Sequence, residues 1–95
     1  MNEPLRTVRM VSLYHIKKVG FAAWKNRKWW SARKVIIWSN EHGAWWRPEG
    51  KGYTGDRADA WAVDFLTAWN YTQHCGPEKK INYCALPSQE RGRAE

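Results

Sequence analysis

Ninety-five residues are enough for one domain with a modest core and too few for two. Eight tryptophans enlarge what that core can bury, because each indole removes far more area from water than an average side chain. The net charge of +7 is lopsided: residues 1–40 carry nine Lys or Arg against the acid Glu3, whereas residues 41–95 carry seven basic and eight acidic side chains. A basic part joined to a near-neutral part points to an anionic partner or to a solubilising surface.

Residues 1–6 read as a flexible lead interrupted by Pro4, and residues 7–87 as a single α+β domain with a basic, Trp-rich part (7–34) and a motif core (35–87). From Thr7 to Ile16, Val8, Met10, Tyr14 and Ile16 share one parity, which suits a strand, although Val11 and Leu13 make its other face apolar too. Lys17 to Trp30 fits either a second strand entering a turn or a short helix. The stretch from Lys25 to Lys34 interleaves Arg27, Lys28, Arg33 and Lys34 with Trp29 and Trp30. That is the mixture single-stranded nucleic acid requires, with cations for phosphates and indoles for bases. The same residues also fit an exposed turn whose tryptophans fold back onto the core.

Val35 to Pro48 predicts a β-hairpin: β-branched residues lead into Asn40-Glu41-His42-Gly43, where Gly43 tolerates positive φ, and aromatic residues lead out. With Ser39 opposite Ala44, Trp38 pairs with Trp45 and Ile37 with Trp46, so both faces are apolar. Pro48 to Gly52 is a loop by composition, and Tyr53-Thr54-Gly55 leads out of it. A helix is expected next, with Ala58, Trp61, Ala62, Phe65, Ala68, Trp69 and Thr72 at three- and four-residue steps. Thr54 or Asp56 would cap it, Gly76-Pro77 would end it, and Trp61, Phe65 and Trp69 would face the core. Ile81 to Leu86 reads as a short strand closed by Pro87, and residues 88–95 as a disordered tail. The expected architecture is a small antiparallel sheet of three to four strands with one main helix packed on one face.

Cys75 and Cys84 are too few for a disulfide framework and are read as reduced, partly buried thiols. No secretory h-region follows the N-terminal Met-Asn-Glu-Pro and no apolar run is of membrane length, so the expectation is a cytoplasmic protein without membrane contact. His15, His42, His74 and the two cysteines lack the close pairs that zinc sites use, which argues against a metal or other cofactor. Glu41-His42 is the only acid beside an imidazole in a structured, exposed place. No nucleophile motif or phosphate-cradling loop accompanies it, so a catalytic role is not expected. Asn40, Glu41 and His42 are read as turn formers with a possible ligand contact.

The segment Ile37-Trp38-Ser39-Asn40-Glu41-His42-Gly43-Ala44-Trp45-Trp46, with Gly52-Tyr53-Thr54 after it, resembles a motif of short uncharacterised proteins of bacteriophages, prophages and other mobile elements. Members of that group continue into a helix and a final short strand, so the resemblance implies the same for residues 35–87. It departs from the group at Trp61-Ala62-Val63-Asp64, where an acid- and arginine-rich start is usual, and residues 1–34 look like an addition. The resemblance carries no settled activity with it.

The functional expectation is a non-enzymatic binding module, an accessory protein of a phage or mobile element. Arg27, Lys28, Arg33 and Lys34 would hold phosphates, Trp29 or Trp30 would stack on bases, and Trp46, Arg47, Lys51 and Tyr53 would extend the surface, with single strands favoured. The alternatives are a protein-interaction module, an inhibitor of a host defence protein or a homo-oligomeric assembly part, in which exposed tryptophans anchor an interface, and a small enzyme or nucleotide binder centred on His42.

Overall fold

The computed structural model describes residues 8–76 and 79–87, so the expected lead, the tail and Pro77 lie outside the described residues. The fold is α+β, with an open antiparallel sheet and helices on one face. The elements are β1 (Arg9–Ser12), α1 (Leu13–Val19), α2 (Phe21–Lys25), α3 (Lys28–Ser31), β2 (Lys34–Ser39), β3 (Ala44–Trp46), β4 (Tyr53–Thr54), β5 (Val63–Asp64), α4 (Phe65–Thr72) and β6 (Ile81–Ala85). The strand order is β1-β6-β2-β3-β4, and β5 pairs with the start of β2.

The hairpin forms in the expected register, with Trp38 opposite Trp45 and Ser39 opposite Ala44. Its turn closes through the Gly43 N–H donating to the Ser39 carbonyl at 2.7 Å, with Gly43 at φ +60°. The expected Ile37–Trp46 pair is replaced. Trp46 pairs outward with Tyr53, its carbonyl accepts from the Trp61 N–H at 3.0 Å, and further back along β2 Val35 pairs with Val63.

Alternation along β2 divides the apolar side chains between two layers. Val35 and Ile37 join Ile81, Tyr83 and Ala85 of β6 beneath the helices, where Leu13, Ile16, Trp24, Trp30, Phe65 and Ala68 meet them. Ile36, Cys84, Leu86 and Trp45 make a smaller cluster on the other face, covered by Trp38 and Ala60. Full burial of each large aliphatic or aromatic chain contributes about 1.5–3 kcal/mol, so the helix side dominates. Tyr83, fully buried, keeps its hydroxyl satisfied on Thr72 Oγ1 at 2.5 Å, and Thr72 in turn donates to the Ala68 carbonyl. The two cysteines form no disulfide with each other and sit in different layers, Cys75 under the helices and Cys84 in the opposite cluster.

Three expectations are corrected. Residues 13–31 are mostly helical: the strand before them is only Arg9–Ser12, where Ser12 caps α1 by accepting from the His15 N–H at 3.0 Å. Gly20, at φ +110°, then separates α1 from α2. The major helix begins at Phe65 and ends at Thr72, so Thr54 and Asp56 do not cap it and Gly76 does not end it. Asp56 caps only a single 3₁₀ turn, and pairing of Val63 and Asp64 with β2 holds the following residues extended until Asp64 caps α4. Trp61 therefore precedes the helix, and both Trp61 and Trp69 are half-buried at the margin of the core that Phe65 fills. Finally, among the described residues the sheet has six strands, of which β3 has three residues and β4 and β5 two each, and four short α-helices stand where one main helix was expected.

Candidate nucleic-acid interface

Two short helices set the cationic surface. Lys25 closes α2, Arg27 precedes α3, Lys28 opens it, and Lys34 begins β2; all four are exposed. The Arg27 guanidinium lies 4.3 Å from the centre of the Trp24 ring, whose buried indole fills the space below. Arg33 behaves differently. Half-buried, it donates from Nη1 to the Trp29 carbonyl at 2.8 Å and rests 3.9 Å from the Trp29 ring centre, so it braces the turn as well as charging it. Arg9 approaches the same ring at 4.5 Å.

Among the described residues, none of Arg9, Lys25, Arg27, Lys28, Arg33 or Lys34 has a carboxylate within 4.0 Å. Lys34 has an acid at longer range, being opposite Asp64 in the β2–β5 pair. Burial raises the Asp64 carboxyl, but hydrogen bonds from the Thr67 hydroxyl and N–H, and the charge of Lys34, outweigh that and hold it below its ordinary value. Asp64 also lines a cleft of about 240 Å³ with Phe21, Lys25, Asn26 and Ser31. A charged carboxylate on its wall makes that cleft a poor seat for phosphate and leaves the exposed ridge of cations as the anion-facing surface.

The aromatic half of the expectation is corrected. Trp30 is 2 % exposed, wedged among Trp24, Trp29 and Phe65, and is a core residue with no face for a base. Trp29 is half-buried and already faced by two guanidiniums. Stacking by the α3 tryptophans, and with it the reason to favour single strands, loses its geometric basis.

The hairpin residues form a second group. Trp46 is half-buried against the main core, its ring 3.4 Å from where a side chain at Gly50 would begin. Arg47 is half-buried, while Lys51 and Tyr53 are exposed. Tyr53 stacks on His42 at 4.0 Å between ring centres. Ser39 Oγ accepts from the His42 N–H at 3.2 Å and lies 3.3 Å from its Nδ1, Trp38 Nε1 donates to Asn40 Oδ1 at 2.8 Å, and Glu41 reaches Lys79 at 3.5 Å. These contacts are what a rigid hairpin tip needs. Lys34 starts β2 and the tip follows Ser39 at its end, so at about 3.3 Å per residue the two groups are roughly 17 Å apart.

Sequence reasoning missed Arg9 and Arg57. Arg9 reaches α3 only because β1 pairs with β6, setting Arg9 beside Ala85 and thus in line with Val35. Arg57 lies 5.5 Å from the Trp45 ring on the opposite face. Neither pairing has a local signal. Comparison of the chain with protein-family models, curated proteins and solved structures returns no significant match.

Proposed function

We propose that this chain is a non-enzymatic binding module that holds a polyanion, with nucleic acid as the first candidate, on the ridge formed by Lys25, Arg27, Lys28 and Lys34. The observation that carries this reading is a row of exposed cations without carboxylate partners among the described residues. Apart from Lys34, which acts on Asp64 at longer range, this charge is not neutralised by a carboxylate among the described residues and is free to displace counterions from phosphates. With Trp30 buried and Trp29 covered, recognition rests on the phosphate backbone more than on bases. The motif at residues 37–46 and 52–54 supports the further proposal that the module serves a phage or other mobile element. A protein partner is the second reading, favoured by Met10 on the edge strand β1 and Val8 just before it, which stay 60 % and 43 % exposed.

The test is fluorescence anisotropy with labelled duplex DNA, single-stranded DNA and RNA across a salt series. Four phosphate contacts on a duplex give a log–log salt slope of about −3.6, so affinity falls roughly 150-fold between 50 and 200 mM salt. Replacing Arg27, Lys28 and Lys34 together with Ala should flatten the slope to about −1 without unfolding the domain. Arg33 is left in place because it also supports Trp29. An unchanged affinity and slope would remove the ridge as the binding surface.

A further inference from the structure

A cleft of about 290 Å³ lies at the end of the sheet far from the α2–α3 ridge, where β1 meets α1 and β6 begins. Its deep side is apolar: Leu13 and Ile81 are each 3 % exposed and Cys75 is buried beside them. Its polar side is made mostly of donors, although Asn82, which gives its Nδ2 to the Lys80 carbonyl, keeps its Oδ1 as an acceptor there. Lys17 spends one ammonium proton on the Cys75 carbonyl at 2.9 Å and keeps two. Asn40 gives its Oδ1 to Trp38 Nε1, which leaves its amide NH₂ as the free end. Ser12 Oγ accepts from the His15 N–H and retains a proton to donate.

Lys80 supplies a second cation. Its backbone is held at φ +50°, a conformation costly for a lysine. It persists there with its carbonyl accepting from the Asn40 N–H at 3.1 Å and from Asn82 Nδ2 at 3.4 Å. Both bonds tie the lysine to the cleft. No carboxylate is among the described lining residues, and nearby Glu41 is engaged by Lys79. At the mouth stands Tyr14, 63 % exposed, with the Lys18 ammonium 5.8 Å from its ring centre.

We infer that this cleft binds a small phosphate monoester carrying a planar group, the chemistry of a nucleoside monophosphate. Lys17, Lys80, Ser12 and the Asn40 amide take the phosphate, the apolar wall takes the sugar or ring edge, and Tyr14 offers its face to the base. The volume is at the lower end of small-molecule sites and suits one nucleotide. The same chemistry is presented by a free nucleotide and by the 5′-phosphorylated end of a strand.

Isothermal titration calorimetry of the full chain with AMP, adenosine, inorganic phosphate, and a dinucleotide with or without a 5′-phosphate tests the inference. AMP should saturate with a Kd of about 0.1–1 mM, and adenosine and phosphate should each bind at least about tenfold more weakly. Replacing Lys80 with Ala should weaken AMP about tenfold, and Tyr14→Glu, at an exposed rim position where the fold tolerates change, should abolish binding by setting a carboxylate at the mouth. A 5′-phosphorylated dinucleotide that matches AMP identifies a strand end as the source, and one that fails to bind identifies the free nucleotide. The variant lacking Arg27, Lys28 and Lys34 should bind AMP as the parent does, which separates this site from the polyanion ridge. Absence of saturation with AMP up to about 10 mM, or binding indifferent to both Lys80→Ala and Tyr14→Glu, overturns the inference.

Discussion

Replacing Trp30 with Ala tests whether the tryptophans of α3 hold the fold or face a ligand. The side chain is 2 % exposed, with ring centres of Trp29, Phe65 and Trp24 at 5.1, 5.5 and 5.8 Å. Burying about 200 Å² of indole at about 25 cal/mol per Å² is worth roughly 5 kcal/mol, and truncations of this kind cost about 3–5 kcal/mol. A domain of this length has about 5–14 kcal/mol in total, so the loss takes a large share of it and Tm should fall by at least about 12 °C. Trp29→Ala should cost only about 1–2 kcal/mol, since that ring is half-buried and its distinctive partners are the guanidiniums of Arg9 and Arg33. Urea and thermal unfolding followed by far-UV circular dichroism measure both. A Trp30→Ala loss under about 1 kcal/mol, accompanied by weakened nucleic-acid binding, would refute the core assignment and restore Trp30 as a stacking residue.

Asp64→Ala removes the α4 cap and should cost about 1 kcal/mol at neutral pH. Because the folded carboxyl lies below its ordinary value of 3.8, its stabilisation is present above that pH and is lost as pH falls through the folded value. Urea midpoints of parent and variant should therefore converge in acid, and a constant gap would show that ionisation is irrelevant to the cap. Gly43→Ala should cost about 1 kcal/mol from strain at φ +60°, since nothing lies within 4 Å of the added carbon; a neutral result in the same unfolding assay would mean the turn has another conformation. Burial pushes the Cys84 thiol up to about 11, so Cys84 should resist a disulfide-exchange reagent at pH 8 until urea unfolds the chain. Mass spectrometry showing prompt labelling of Cys84 in the native protein would contradict its burial.

Residues 35–54 and 81–86 needed little beyond the chain itself. A β-branched run, a turn with glycine at its end, and an aromatic run out of it define both the hairpin and the Trp38–Trp45 register, because pleat and turn are local constraints. The cationic stretch from Lys25 to Lys34 was equally legible as charge. Its chemistry was not, since alternate faces of a turn look alike in one dimension and only the approach of Phe65 and Trp24 decides that Trp30 goes inside. Tertiary contact also decided where the major helix starts. Helical spacing runs back to Ala58, yet β2 left Lys34 and Val35 open on one edge, and Val63 and Asp64 filled that edge in extended form. The donor-lined cleft is further still from sequence reach: Ser12, Lys17, Asn40 and Lys80 are scattered along the chain and meet because β6 enters the sheet between β1 and β2. Local periodicity determined which segments could be strand or helix, while the order of strands, a matter of which hydrophobic edges remained to be covered, determined which side chains share a surface.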